Sequence, residues 1–471
     1  MTGELLPGRP GNLTPEEEAK LLEMWTQIFQ LFGVMPGSAK ASLDTAHPDA
    51  VDTKKKRGLF GRKKKEESSE DDKFGLQKAY NDAVANTSPE VLRSTMWAMV
   101  KHDHPDALLL RFLRARKWDV EKAVIMMIAT MNWRATQMHV DDVIMKNGEL
   151  HCLESEQKGT GATKTLGHDV LAQMRMGKSF IHGHDRENRP MCYVRARLHK
   201  AGEQSDESLE WYTVYLIETT RMMLAPPVDT AVSSASPLKK PPKLTPTPQC
   251  IVFDLTGFSL ANMDYTPVKF MIKCFEANYP ESLGAVIVYK APWVFQGIWR
   301  IIKGLLDPVV AAKVNFANTV EEMEVFVERS KIPRELGGDE EWTYTFHEPV
   351  PGENKRMDDV ATKQQLLSNR EEKVREFEAL TKDWIHGGSD NEVRGKREVV
   401  AQSLREGYWK LDPYIRARSM YDRVGTIGEG GVLSFYPGEK LGAVHGGGEK
   451  VVDNAMSAAP VGFQHSVDDI D

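Results

Sequence analysis

Two short runs, Cys250-Ile251-Val252-Phe253-Asp254-Leu255 and Ala285-Val286-Ile287-Val288-Tyr289, are apolar at nearly every position, and a helical stretch over 267–277 separates them. A strand that is apolar on both faces has to be covered on both, which is the condition of a parallel sheet between layers of helix. The neighbouring sequence has the same character. Phe180-Ile181-His182-Gly183 and Met191-Cys192-Tyr193-Val194-Arg195 flank the turn Asp185-Arg186-Glu187-Asn188-Arg189, as in a hairpin. A long helix over 207–224, another over 292–306, a strand at Val314-Asn315-Phe316 and a helix from Thr319 continue the alternation. The pattern predicts an α/β domain with a mainly parallel sheet.

Upstream the period is helical. Thr14-Pro15-Glu16-Glu17 offers a capping box and a proline suited to the first turn, and Leu21, Leu22, Trp25, Ile28, Phe29 and Phe32 follow at helical spacing until Gly33 and Pro36. Such an amphipathic helix needs a surface to lie on, its own protein or a membrane. From Leu76 to Ile144 the pattern is a small all-α unit, with one helix opened by Pro89, one over 106–117 and one capped by Asp119. Between these parts, residues 37–75 carry few apolar side chains and read as a disordered linker. Its basic blocks Lys54-Lys55-Lys56-Arg57 and Arg62-Lys63-Lys64-Lys65 bracket Leu59 and Phe60, and an acidic run with Ser68 and Ser69 follows. Three readings stand for this block: attachment to an anionic leaflet, weakened by phosphorylation; a nuclear-import signal; or an inert linker. Residues 226–248 read as a surface insertion. After Gly337-Gly338, two charged helices at roughly 357–385 and 392–422 precede a Gly-rich tail from Gly428. The divisions are therefore 1–36, 37–75, 76–145, 146–345, 346–427 and 428–471.

The net charge of −7, with 61 basic against 68 acidic residues, argues against nucleic-acid binding as the whole-chain function, because neutralising phosphates needs a basic surplus. The start of the chain lacks a basic stretch leading into an apolar run, and no run of about 18 uncharged apolar residues occurs. The expectation is a cytosolic chain with no secretory signal and no transmembrane helix. Cys152, Cys192, Cys250 and Cys274 show no C-x-x-C spacing and read as buried, reduced thiols.

No catalytic constellation emerges. Gly159-Thr160-Gly161-Ala162-Thr163-Lys164-Thr165 lacks the glycine before lysine that brings amides onto a phosphate, and Gly177-Lys178-Ser179 lacks the leading glycine; both read as loops. His182 and His184 alternate on a strand edge without a third metal ligand nearby, and read as surface histidines. The unusual stretch is Trp293-Val294-Phe295-Gln296-Gly297-Ile298-Trp299-Arg300-Ile301-Ile302-Lys303-Gly304-Leu305-Leu306. It is apolar almost all round, yet Arg300 and Lys303 punctuate it. A helix of this kind is either deeply buried or faces lipid.

Several short motifs carry a family resemblance. Leu109-Leu110-Arg111-Phe112-Leu113-Arg114-Ala115-Arg116-Lys117-Trp118-Asp119 resembles the signature of the helical unit that precedes a CRAL-TRIO domain. Asp185–Pro190, Ile251–Gly257, Tyr279-Pro280-Glu281, Ala291-Pro292-Trp293, Leu306-Asp307-Pro308 and Leu336-Gly337-Gly338 then fall in the order of the lipid-binding domain itself. The arrangement resembles the fungal phosphatidylinositol-transfer proteins of the Sec-fourteen type over about residues 76–345.

The resemblance implies an α/β lipid-binding domain with a gated apolar pocket, an all-α unit before it and helices after it. It implies a headgroup site of Arg116, Lys117, Glu281 and Lys313, and a mobile gate whose Phe295, Ile298, Trp299 and Ile302 meet lipid or membrane. Glu281 and Lys313 are also a natural ion pair with each other. Two positions depart from the family pattern: Val310 stands where a threonine is usual, and Gln249-Cys250-Ile251 stands where a Ser-x-Thr pair serves phosphatidylcholine. The implied ligands are thus phosphatidylinositol and a second molecule, another lipid or a sterol, with no cofactor and no metal. The expected protein is a non-enzymatic monomer in the cytoplasm that visits membranes peripherally, at endoplasmic reticulum, endosome or lipid droplet, and binds no nucleic acid. It either carries lipid between membranes or acts as a sensor or scaffold that presents lipid to a partner enzyme.

Overall fold

The structure is a computed structural model that describes residues 7–37, 72–224, 248–387 and 391–436. The basic and acidic blocks with Ser68 and Ser69, the insertion predicted at 226–248 apart from its last residue, and the tail beyond residue 436 lie outside the described residues.

Helix α1 (Pro15–Leu31) starts as its sequence dictates. Thr14 accepts from the Glu17 amide at 3.2 Å, and the Glu17 carboxylate accepts from the Thr14 amide at 2.9 Å. Its apolar face docks on the chain itself: Leu21, Met24, Trp25, Ile28 and Phe29 are buried in one apolar core with residues of the N-terminal unit and of the C-terminal helices. That unit comprises α2 (Leu76–Asn86), α3 (Pro89–Val100), α4 (Pro105–Ala115) and α5 (Val120–Asn132). Helix α4 stops two residues before the predicted end because Lys117 and Trp118 adopt left-handed backbone angles, φ 52° and 66°.

Two helices, α6 (Met145–Lys158) and α7 (Gly161–Arg175), occupy a stretch for which the sequence reading gave no helix. The look-alike at 159–165 is thereby corrected. Only Gly159 and Thr160 are non-helical, both extended, and Gly161 opens α7. The stretch hides its period because Gly148, Gly159, Gly161 and Gly167 interrupt it, each of low helix propensity.

The sheet then forms from β1 (Ser179–His184), β2 (Pro190–Arg195), β3 (Gln249–Asp254), β4 (Leu283–Tyr289) and β5 (Val314–Ala317), in that spatial order. The β1–β2 hairpin is antiparallel; every other pair is parallel. Helix α8 (Asp206–Met222) joins β2 to β3, α9 (Tyr265–Lys273) joins β3 to β4, and α10 (Phe295–Leu305) with α11 (Pro308–Ala311) joins β4 to β5. Alternation along the strands gives the two faces different fates. Tyr193, Cys250, Val252, Ile287 and Tyr289 pack with Ile332 and Leu336 in one core, while Cys192, Ile251, Val286 and Val288 face α10. After α12 (Val320–Met323), the chain returns through α13 (Val360–Ile385), α14 (Asn391–Ile415) and α15 (Met420–Arg423). All four cysteines are buried free thiols, and burial pushes Cys152 and Cys192 up to about 12. No described helix is long and apolar enough to cross a membrane.

Candidate functional site

A cavity of about 230 Å³ opens between the sheet and α10. The strands contribute Val194, Ile251, Phe253, Val286 and Val288, and the opposite wall comes from α8, α9 and α10. It is apolar along most of its length because these residues are the second face of a sheet whose first face is already packed.

Helix α10 closes one side. Phe295, Ile298, Trp299 and Ile302 fall at i, i+3, i+4 and i+7, the spacing of one helical face. Phe295, Trp299 and Ile302 line the cavity, and Ile298 is buried beside them. Phe295 meets the ring of Phe258 edge-on at 6.0 Å, and Trp299 meets Phe316 at 5.4 Å. All four predicted gate residues thus point inward. The outward face carries Trp293, 87% exposed, and Ile301, 54% exposed, together with Arg300, Lys303 and the nearby exposed Val309.

Polar support for this helix gathers at its C-terminal end. The Lys73 ammonium donates to the Leu305 carbonyl and pairs with Glu276 at 2.8 Å. The other oxygen of Glu276 accepts from the Asp307 amide at 2.7 Å.

The predicted headgroup residues are distributed as follows. Lys313 lies between Val310 and Val314, both cavity-lining, and donates to the carbonyl of Leu283, another lining residue, at 2.7 Å. Burial pushes its ammonium below the usual lysine range. Glu281, in a left-handed conformation (φ 60°), contacts Arg114 at 3.3 Å and Arg9 at 3.7 Å, so its ion partners are arginines instead of Lys313. Arg116 ends α4 half-buried, and Lys117 is exposed. The guanidinium from this run that meets Glu281 is that of Arg114.

Two contributors, Arg9 and Arg114, escaped the sequence reading. Arg9 sits in a tight turn held by Gly8 N–H to Asn12 carbonyl at 3.0 Å. Gly8 has φ 70°, its carbonyl accepts from Arg114, and a Cβ there would stand 3.1 Å from Trp118, so only glycine suits. Burial, then the neighbouring Arg9, push Arg114 down to about 10, and its Nη2 has no hydrogen-bond partner among the described residues. Two arginines thus pair with one carboxylate, Lys313 lies within electrostatic reach of both Glu281 and Arg9, and Lys313 itself is bonded to the cavity wall at Leu283, an arrangement suited to an anionic headgroup that also bears hydroxyls.

Of the positions that depart from the family pattern, Val310 and Ile251 line the cavity, while Gln249 and Cys250 are buried. His182 corrects an expectation: it is buried, stacks on Trp342 at 3.7 Å and meets Glu340 at 2.9 Å. Its strand faces the packed side of the sheet, which a strand-edge reading could not reveal. No cluster of three metal-ligating side chains occurs among the described residues.

The CRAL/TRIO domain family matches residues 174–338, and the CRAL/TRIO N-terminal domain family matches residues 65–129. The "CRAL-TRIO domain-containing protein C3H8.02" of Schizosaccharomyces pombe is 39% identical, covering 89% of this chain and 92% of that protein. The "Phosphatidylinositol transfer protein CSR1" of Eremothecium gossypii is 36% identical, covering 91% of this chain and 100% of that protein. The "Sec14 cytosolic factor" of S. pombe is 28% identical, covering 50% of this chain and 74% of that protein. With a helical N-terminal region, a mostly parallel sheet and relatives that match it nearly end to end, the chain belongs to the CRAL-TRIO family.

Proposed function

We propose that this protein is a non-enzymatic carrier that takes up phosphatidylinositol at one membrane and releases it at another. The observation that carries the reading is the apolar cavity under α10, with Lys313 bonded to its wall at Leu283 and the Arg9–Glu281–Arg114 cluster within electrostatic reach of that lysine. The relative named as a phosphatidylinositol transfer protein gives it further support.

The energetics set what such a carrier has to do. Two acyl chains of roughly 30 methylenes represent on the order of 24 kcal/mol of apolar transfer, so they cannot cross water unshielded. A cavity of about 230 Å³ is smaller than the roughly 300 Å³ at which pockets for drug-sized ligands begin. A two-chain lipid therefore enters only when the wall moves, and α10 is a wall whose inner face is apolar and whose polar ties gather at its last turn. Trp293, Ile301 and Val309, beside Arg300 and Lys303, give its outer face the aromatic-plus-basic chemistry of a bilayer interface. At the membrane the inward face exchanges cavity for lipid, so opening costs little there and much in water. The rim cations hold the phosphodiester, and Glu281 accepts from inositol hydroxyls.

Transfer of labelled phosphatidylinositol between vesicles tests the reading. Lys313→Glu should abolish it in a folded protein, and Trp299→Asp should reduce membrane binding and transfer together, at a cost of about 2.5–3.5 kcal/mol for a charge in the bilayer. Undiminished transfer by folded Lys313→Glu protein would overturn the headgroup assignment.

A further inference from the structure

One end of the cavity is polar. Lys178, which directly precedes β1, lines it together with His199 and Asp264. Asp264 is held in place by the Thr266 amide at 2.9 Å and faces His199 Nε2 at 3.3 Å. A carboxylate beside Nε2 puts the proton on that nitrogen and leaves Nδ1 as an acceptor. Nδ1 stands 3.5 Å from the Lys178 ammonium, and the Gln204 side-chain oxygen accepts a second bond from it.

Both partners of Lys178 are neutral. The side chain belongs to a residue only 5% exposed, and among the described residues no carboxylate forms an ion pair with it. Lys101, equally buried, shows the ordinary solution: Asp141 at 3.0 Å and Glu218 at 3.1 Å neutralise its charge. A buried ammonium with no carboxylate at ion-pair distance is costly, and burial pushes Lys178 down to about 8, with Glu203 and Asp169 opposing that only from longer range. Arg195, also in the cavity wall, is already paired with Glu335. One cation in the wall of an apolar cavity, with no carboxylate at ion-pair distance among the described residues, matches a ligand with one negative charge and one long chain.

We propose that this end of the cavity is a second subsite, for a fatty acid whose carboxylate pairs with Lys178 while its chain lies along the apolar wall. The inference rests on the lipid-cavity reading above and adds the chemical class of a second ligand. Its test uses the full chain with oleate and methyl oleate as probes, which share a chain and differ in charge. Lys178→Met keeps the shape and removes the ammonium. Oleate affinity should fall about tenfold, the effect of one charge-assisted hydrogen bond, while methyl oleate binding holds. Equal oleate binding by wild type and variant would overturn the subsite and leave phosphatidylinositol carriage standing. A parallel loss of both probes would also overturn it, because Lys178 would then be only part of the wall. Failure of wild type to bind oleate while it loads phosphatidylinositol rejects the subsite alone; failure to load either lipid rejects the carrier reading itself.

Discussion

The helical side of the molecule and the gate side are held by different forces. Where α1, α4 and α14 meet, the Asp106 carboxylate accepts from the Trp25 indole at 2.8 Å and from both Arg397 terminal nitrogens at 2.7 and 2.9 Å, all buried. Near α15, Arg416 and Arg418 share Asp412 and Asp422. The gate helix has instead an apolar face on an apolar cavity, with its polar ties gathered at Lys73 and Glu276 beside its last turn. Charge networks are directional and fail when one partner leaves, whereas apolar contacts are exchangeable for lipid at little cost. On the carrier mechanism proposed above, the difference assigns the helical side to stay fixed while α10 opens.

The largest expected effect breaks the fixed side. Arg397→Ala leaves Asp106 buried without its cation and should cost about 3–5 kcal/mol, read as a lower urea midpoint. A loss under about 1 kcal/mol would mean that the network does not bear on stability.

A pH titration sharpens the same contrast. His102 is buried against Tyr408 and Trp409, and burial pushes its imidazole down to about 3. Unfolded, it would take a proton near 6.5. Its contribution is therefore whole above about pH 6.5 and is lost as pH falls toward 3, at on the order of 1 kcal/mol per pH unit. For Asp106, burial pushes the carboxyl up, but Arg397 and His104 more than reverse that, so its contribution fades only below about pH 4. Urea midpoints from pH 7 to 4.5 should slope for wild type and flatten for His102→Gln; equal slopes would contradict the assignment.

The smallest effect belongs to the gate. Lys73→Ala removes a half-exposed tie and should change global stability by less than about 1 kcal/mol. Amide exchange should nevertheless rise over Phe295–Leu305 and stay unchanged over Asn391–Ile415. Equal changes in both would erase the proposed distinction.

These two sides were not equally legible in the sequence. The strands announced themselves because residues 250–255 and 285–289 are apolar on both faces, and the cap of α1 lies within four neighbouring residues. Helices α6 and α7 were hidden by glycines at 148, 159, 161 and 167. The motif order located Glu281 and Lys313, but not the partners of Glu281. Arg9 reaches it from the far end of the sequence, and no local period records such a contact. In the sequence Lys178 belongs only to a loop that falls short of a phosphate loop, since its burial and its distance from any carboxylate exist only in three dimensions. The inward orientation of Phe295, Ile298, Trp299 and Ile302 was likewise invisible in a stretch apolar almost all round.

Lipid extraction of the purified full chain, followed by mass spectrometry, tests the central claim most directly. Phosphatidylinositol is expected in near one-to-one ratio with wild-type protein and is expected to be lost from folded Lys313→Glu protein. Wild-type protein that emerges free of inositol lipid after incubation with vesicles containing it would contradict the account.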